Sequence, residues 1–363
     1  MKQDPARYDR QMLLPGFGAD GQRRLAGSTA LILGCGALGS VAAEMLARAG
    51  VGHLVIVDRD FVELSNLQRQ VLFDEQDVAD GLPKAEAAKR RLARINSQLQ
   101  VTAIVDDINY SNIERYARGA NVLVDGLDNF ETRYLANDFA VKAGIPYIYG
   151  AAVGMTGMAF AVLPIAGGTA AWETADTGNF ATACFRCLFD EAPPPGSSPT
   201  CDTVGVISSA VAIVANFQVA ETLKVLTNNF DRVSRTLLNF DLWNNEILQL
   251  SVSTAQDSAS CPCCGQRRFE YLDGKAGSSA ATLCGRNAVQ LRQQQTGNVE
   301  LDAVARRVQG SGTVRVNEFM LQLQLSDRDK PYEITLFANG RAIVKGTDDA
   351  GVARGIYAKY IGA

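Results

Sequence analysis

Short apolar runs recur through the first half of the chain, separated by helix-favouring stretches. Those near residues 29–33, 54–58, 101–105, 122–125 and 146–149 predict strands. Between them, Ala37 to Ala49 is stopped by Gly50, and Pro83-Lys84 opens a helical pattern over Ala85 to Asn96. Strands alternating with helices predict a mostly parallel sheet with right-handed crossovers. A helical segment, residues 1–27, precedes it, and Gly157 to Leu163 and Arg235 to Asp241 are candidate antiparallel strands. Val204 to Phe217 is the longest apolar stretch, but serines interrupt it, so it reads as a buried helix and not a membrane span.

From about Phe269 the pattern changes. Ala281 to Leu291 and Thr313 to Leu325 are strand-like, Val299 to Val308 is helical, and Tyr332 to Lys345 holds Asn339-Gly340, a hairpin signal. Asp348 and Asp349 open a terminal helix to Tyr360. The chain divides into a large unit over 1–267, a linker over 268–279 around Gly274-Lys-Ala-Gly-Ser-Ser, and a small α+β domain over 280–363.

The first strand runs into Gly34-x-Gly36-x-x-Gly39, a glycine turn at a helix N-terminus, where backbone N–H groups and the helix dipole meet phosphate oxygens. Gly34 and Gly36 permit the turn and close ligand approach, and Gly39 allows helix and strand to pack. Val55-Ile-Val-Asp58 ends in an acceptor suited to a ribose hydroxyl. These residues alone fit any nucleotide. Leu64-Ser-Asn-Leu-Gln-Arg-Gln70 and Lys84 narrow the choice, because a guanidinium and an ammonium near a glycine turn suit a triphosphate and have no part in nicotinamide chemistry. Val122-Leu-Val-Asp125 leads into Gly126-Leu-Asp128-Asn129, with Arg133 one turn on; Asp128 stands beyond a strand's carboxyl end, where a carboxylate can hold Mg²⁺ on phosphate.

With these pieces the chain resembles the ThiF/MoeB/HesA family, relatives of the ubiquitin-activating enzymes, from about Tyr8 to Gly265. Tyr8-Asp-Arg10-Gln11, the glycine turn, Asp58-x-Asp60, Ser65-Asn66-Leu-Gln-Arg69-Gln70, Lys84, Asp128-Asn129 with Arg133, Cys184-x-x-Cys187, Thr200-Cys201 and Cys261-x-x-Cys264 carry the likeness. The resemblance implies that Gly34, Gly36, Asp58, Asn66, Arg69, Lys84 and Asp128 surround ATP and Mg²⁺. It further implies that Arg10 reaches the triphosphate of the other subunit of a homodimer. It is also the warrant for joining the antiparallel strands to the parallel ones in one continuous Rossmann-like α/β sheet.

Eight cysteines point to metal or catalysis before disulfides. Cys184-Phe-Arg-Cys187 and Cys261-Pro-Cys-Cys264 are two C-x-x-C knuckles whose four thiolates suit a structural Zn²⁺; a redox dithiol or packed cysteines are the rivals on spacing alone, and the resemblance favours zinc. Cys263 lies between two presumed ligands; Cys261 and Cys264 match the spacing of the first pair. Cys201 follows the proline- and serine-rich stretch Glu191 to Thr200, and the resemblance gives it a covalent role in sulfur transfer, against an ordinary accessible thiol. Cys35, inside the glycine turn, reads as packing, His53, the only histidine, as structural, and Cys284 as a buried strand residue.

Composition changes little. In 363 residues, 47% hydrophobic and 20% charged, there is ample material for a core. The charged N-terminus lacks the apolar centre of a signal peptide, pointing to a cytoplasmic protein. A net charge of −4 without a basic stripe argues against nucleic acid.

The expected activity is adenylation of the C-terminal glycine of a ubiquitin-like sulfur carrier ending in Gly-Gly, of the ThiS or MoaD kind. A persulfide donor would then give the thiocarboxylate. A Rossmann oxidoreductase and a non-catalytic nucleotide-binding scaffold are the alternatives. The sequence does not name the carrier or its pathway. Tyr360-Ile-Gly-Ala363 lacks a carrier's Gly-Gly tail, so the small domain is not expected to be adenylated itself.

Overall fold

The aliphatic runs become strands that pair side by side. In the computed structural model, which describes residues 5–164, 181–191, 201–252, 260–276, 282–283, 287–291, 299–327 and 330–361, the chain forms two units. The first spans Met1–Pro193 and Val204–Ala276, and the second Pro194–Thr203 and Gly277–Ala363.

In the first unit, β1 (Thr29–Leu33), β2 (His53–Val57), β3 (Gln100–Ile104), β4 (Val122–Asp125), β5 (Tyr147–Val153), β6 (Thr156–Val162), β7 (Thr236–Asp241) and β8 (Glu246–Ser251) make one sheet in the order β3-β2-β1-β4-β5-β6-β7-β8. β1 pairs in parallel with both β2 and β4, so the chain leaves β1 to one side and returns on the other. The parallel half runs from β3 to β5; from β5 onward every pairing is antiparallel. The continuous mixed sheet expected from the resemblance is present.

Alternating side chains feed two cores. Leu31, Leu33, Val55, Val57, Tyr149 and Phe160 join Tyr134 and Phe139 of the Phe130–Ala143 helix on one face. Ala159, the neighbour of Phe160, points oppositely and packs with Leu38 and Val41 of the Ala37–Ala49 helix and Val211 and Val214 of the Ser208–Leu226 helix. That last helix is apolar and long enough to cross a membrane, but here it lies on β5 and β6. It also buries Gln218, Glu221 and Thr222, each hydrogen-bonded.

It starts later than the apolar run implies. Gly205, at φ +76°, separates a single turn, Cys201–Val204, from the helix proper at Ser208, and Val204 is exposed. The 1–27 segment comprises a 3-10 turn, Pro5–Tyr8, and helices Asp9–Met12 and Gly18–Ala26. The first unit's packing extends past Arg267. Tyr271 stacks on Tyr134 at 4.9 Å, its N–H donates to Asp138, and Phe269 and Leu272 pack on the core.

The second unit holds a six-stranded antiparallel sheet, β11-β12-β13-β14-β10-β9, built from β9 (Thr282–Leu283), β10 (Ala288–Leu291), β11 (Thr313–Val316), β12 (Met320–Asp327), β13 (Lys330–Phe337) and β14 (Ala342–Lys345). Two runs read as single strands each fold back on themselves. Asn287, at φ +45°, lies just before β10, which pairs with β9, and the Asn317 side chain accepts the Phe319 and Met320 N–H groups between β11 and β12. The Asn339-Gly340 turn joins β13 to β14, and Asp349 caps the Ala350–Tyr360 helix. That helix and the Leu301–Val308 helix pack on one core with the sheet. Cys284 and all of the proline- and serine-rich stretch after Glu191, residues 192–200, lie outside the described residues.

Candidate functional site

The loops after β1, β2 and β4 converge where strand order reverses, the place at which open parallel sheets bind ligands. Gly34, at φ +87°, makes the turn, and Gly36 stands at the N-cap of the Ala37–Ala49 helix with no side chain capping it. The first amides of that helix therefore face the loop mouth, ready for an anion. The turn is locked against the β4 loop. A Cβ on Gly34 would lie 2.7 Å from the Gly126 carbonyl oxygen, one on Gly126 2.3 Å from that of Gly34, and one on Gly39 2.0 Å from the same oxygen.

Asp58 is buried beneath the turn. One carboxylate oxygen accepts the Cys35 N–H at 2.6 Å and the other the Asp60 N–H at 2.7 Å. Burial pushes its carboxyl up, while nearby Lys84 pulls it down. Asp58 thus shapes the glycine turn, and its remaining lone pairs can accept from a ribose. Lys84, 3% exposed at the start of the Lys84–Ile95 helix, puts Nζ 3.3 Å from Asp60 Oδ2. Arg59 pairs with Asp107 at 2.9 Å, and Asp60 and Asp128 act on it electrostatically. Burial pushes the Cys35 thiol up, which fits its packing role.

Asn66 is buried, and its Oδ1 accepts the Glu63 N–H, so part of its hydrogen-bonding capacity is spent locally. Arg69 donates to the Ser65 carbonyl at 2.9 Å. Gln70 is buried beside Gly36, and its Oε1 meets no partner among the described residues. The sequence gives Gln70 a place in the motif and no task; its burial is what sets it beside the glycine turn.

Asp128 is exposed at the mouth, with Asn129 Nδ2 at 3.3 Å, and Asn129 Oδ1 caps the following helix through the Thr132 N–H. Arg133 does not face the mouth. It is buried, bonded to Asp125 at 3.2 Å and to the carbonyls of Leu127 at 2.7 Å and Gly150 at 3.2 Å.

Arg10 lies on the exposed Asp9–Met12 helix, and Cys201 belongs to the second unit. Direct contacts join the glycine turn, Asp58, Asp60 and Lys84, and set the Gly126 loop against the turn, whereas the bonds of Asn66, Arg69 and Asn129 are local.

A separate cluster joins Cys184, Cys187, Cys261 and Cys264, whose sulfurs all lie within 4.8 Å of one another. Cys184 is 3.7 Å from both Cys187 and Cys261, and Cys187 is 3.4 Å from Cys264. Four thiolates on one Zn²⁺ stand about 3.8 Å apart, so the set fits a tetrahedral ion. Hydrogen bonds from neighbouring thiols, Cys187 first, pull the Cys184 thiol down, and the same contact pushes Cys187 up; four thiolates need a cation to coexist. Cys263 lies beside this set without belonging to it: Asn137 Nδ2 reaches its sulfur at 3.3 Å and that of Cys184 at 3.8 Å.

The ThiF family profile matches residues 8–263. The chain belongs to the ThiF family. It is 44% identical over 357 residues to the sulfur carrier protein ThiS adenylyltransferase of Bacillus subtilis, covering 98% of this chain and 99% of that protein. It is 36% identical to the sulfur carrier protein adenylyltransferase of Thermus thermophilus, over 76% of this chain and 97% of that one. Among solved structures, Escherichia coli MccB shares the fold, with a TM-score of 0.59 and 24% identity over 73% of this chain and 75% of that one. The family membership agrees with the architecture and the four-cysteine cluster in this chain.

Proposed function

We propose that this ThiF-family enzyme adenylates the C-terminal glycine of a ubiquitin-like sulfur carrier, using ATP, in preparation for sulfur transfer. The observation that carries the reading is the convergence of the glycine turn, the Asp58, Asp60 and Lys84 group and the Asp128 loop at one end of the sheet. The near full-length identity to a protein named for this activity supports it. An oxidoreductase leaves the buried Lys84 and exposed Asp128 without a task.

A carboxylate resists attack because its leaving group would be oxide. The carrier's terminal carboxylate attacks the α-phosphorus of ATP; its oxygen forms the new P–O bond, the bond to the β-phosphate oxygen breaks, and pyrophosphate leaves. No general base is required, since the nucleophile is already ionised. The helix amides behind Gly36 receive phosphate oxygens, Lys84 and Arg69 offset the charge that keeps two anions apart, and Asp58 seats the ribose. Asp128, an oxygen donor at the mouth, suits Mg²⁺, which when bound neutralises phosphate charge. Arg10 serves the site of a second copy in a homodimer. Zn²⁺ on Cys184, Cys187, Cys261 and Cys264 is structural, because four protein thiolates leave no open position. Cys201 takes the outer sulfur of a donor persulfide, the donor leaving as a thiol. Its terminal sulfur attacks the acyl carbon, AMP leaves, and a second thiol attacks the Cys201 sulfur of the resulting acyl disulfide, releasing the thiocarboxylate and leaving a disulfide on Cys201.

ATP–pyrophosphate exchange with a Gly-Gly carrier tests the reading. Exchange should require the carrier and Mg²⁺, and Asp128→Ala should cost about 3 kcal/mol in transition-state stabilisation. Undiminished exchange in that variant would falsify the assignment. A folded parent with no exchange for any carrier would favour the scaffold reading. Mixing Arg10→Ala with Arg69→Ala chains should restore one intact site per mixed dimer, and a mixture no better than either variant counts against a shared site. Cys201→Ser should keep exchange and slow thiocarboxylate formation; an unchanged rate removes the relay.

A further inference from the structure

Arg133 belongs to the motif that carries the family resemblance, and a cation one turn beyond Asp128 reads naturally as a phosphate ligand. Its surroundings give it another task. The side chain is 8% exposed, and its guanidinium is lodged between the Phe130 and Tyr149 rings, 5.7 and 5.3 Å from their centres. Nε bonds Asp125 Oδ2, and one terminal nitrogen donates to both the Leu127 and Gly150 carbonyls. Asp125, fully buried at the end of β4, also accepts the Tyr147 hydroxyl at 2.6 Å and, through its other oxygen, the Leu127 N–H at 2.8 Å.

Leu127 is therefore held at both ends, its N–H by Asp125 and its carbonyl by Arg133. That carbonyl belongs to the peptide leading into Asp128. On the far side, the Asn129 side chain anchors to the Thr132 N–H and reaches Asp128 Oδ1. The backbone of the carboxylate at the mouth is thus fixed from below, while the Gly126 carbonyl lies against Gly34 of the glycine turn.

We propose that Arg133 is a positioning residue that holds the Leu127–Asp128 peptide, and so sets the affinity of the site for the divalent cation, without touching the nucleotide. The proposal rests on the adenylation reading for its consequence in turnover, and on the chain's own geometry for its consequence in metal binding. Lysine is the informative replacement. It keeps a positive charge beside Asp125, but a point charge cannot serve Asp125, Leu127 and Gly150 together as the planar fork does.

Mn²⁺ as the probe, with α,β-methylene-ATP present, reports metal affinity directly through the paramagnetic resonance signal of the free ion. Arg133→Lys should weaken Mn²⁺ binding about tenfold, the scale on which groups supporting a metal ligand act. Nucleotide affinity measured in EDTA should stay within about twofold of the parent, since no contact to the nucleotide is lost. In exchange assays the Mg²⁺ needed for half-maximal rate should rise with the Mn²⁺ dissociation constant, and kcat should fall more than the KM for ATP rises. Unchanged Mn²⁺ affinity in the folded variant overturns the proposal. So does a loss of nucleotide affinity in EDTA as large as the loss for the metal, which would make Arg133 a phosphate ligand. Should Arg133→Lys not fold, Tyr147→Phe removes one hydrogen bond from Asp125 and leaves the cation; about threefold weaker Mn²⁺ binding supports the brace and no change refutes it. The Mn²⁺ titration decides the matter even if the parent shows no exchange, which would remove the adenylation reading alone.

Discussion

At the scale of single residues, the glycines around the nucleotide site are fixed by backbone and not by the ligand alone. A methyl group on Gly126 would stand 2.3 Å from the Gly34 carbonyl oxygen and 3.0 Å from Gly39 Cα, with no flexible side chain to move aside. Gly126→Ala should therefore destabilise the chain by about 3 kcal/mol, the upper end for forced overpacking, and separate the two loops that share the site. Gly27→Ala, whose nearest neighbour would be 3.6 Å away, should stay within about 0.5 kcal/mol. Urea unfolding of the pair checks this, and equal midpoints would show that the loops yield. The chain pattern made the turn at Gly34, Gly36 and Gly39 and the strand end at Asp58 legible, because a strand running into a glycine turn and a helix has a fixed spacing. It left the second duty of Asp58 hidden, since its donor, the Cys35 N–H, lies 23 positions away. Arg133 was legible as part of a motif and illegible in its task, which depends on a carboxylate eight residues back and a carbonyl seventeen residues on.

At the scale of elements, aliphatic runs located β1 to β4 to within a residue, because buried strands have little polar pattern to confuse them, while β5 runs four residues past the expected end to Val153. Runs that fold back were harder. The β9–β10 and β11–β12 pairs each read as one strand, since the reversal is set by Asn287 and Asn317 and no proline or glycine pair marks it as Asn339-Gly340 does. The cysteine knuckles are the reverse case, two local patterns whose meeting only the fold supplies. β-Strand and helix packing bring Cys184 to Cys261 across 77 positions. If the cluster holds zinc, the ion ties the Phe185–Leu188 turn to the 261–265 segment, and its binding can contribute about 10 kcal/mol to the folded state. Cys187→Ser should lose the metal and melt well below the parent, while Cys263→Ser, outside the four-sulfur set, should keep one zinc per chain. Metal analysis with thermal melts separates them; one zinc retained in Cys187→Ser would mean that the cluster is not its site.

At the scale of the whole molecule, two units with separate cores invite the question of what the second adds. It has its own sheet, its own helices and a continuous apolar interior from Val289 to Ile361, so it does not need the first unit's core to explain its fold. The Bacillus subtilis relative matches 98% of this chain, whereas the Thermus thermophilus relative is matched over 97% of its own length by 76% of this chain. The second relative is therefore too short to hold both units, though its name also assigns it the adenylation of a sulfur carrier. We accordingly place the adenylation step in the first unit and a recognition role in the 277–363 part of the second. The cut that tests this belongs after Ala276, since Tyr271 stacks on Tyr134 and Asp138 accepts the Tyr271 N–H, and an end near Arg267 would strip both. A chain ending at Ala276 should keep ATP binding, zinc and measurable pyrophosphate exchange, and bind the carrier or the sulfur donor about tenfold more weakly, a loss of 1.4 kcal/mol. Calorimetric titration of both chains against each partner reads that difference. Equal affinities would deny the second unit a recognition role, and an insoluble shortened chain with an otherwise active parent would show that its contribution is to the first unit's stability.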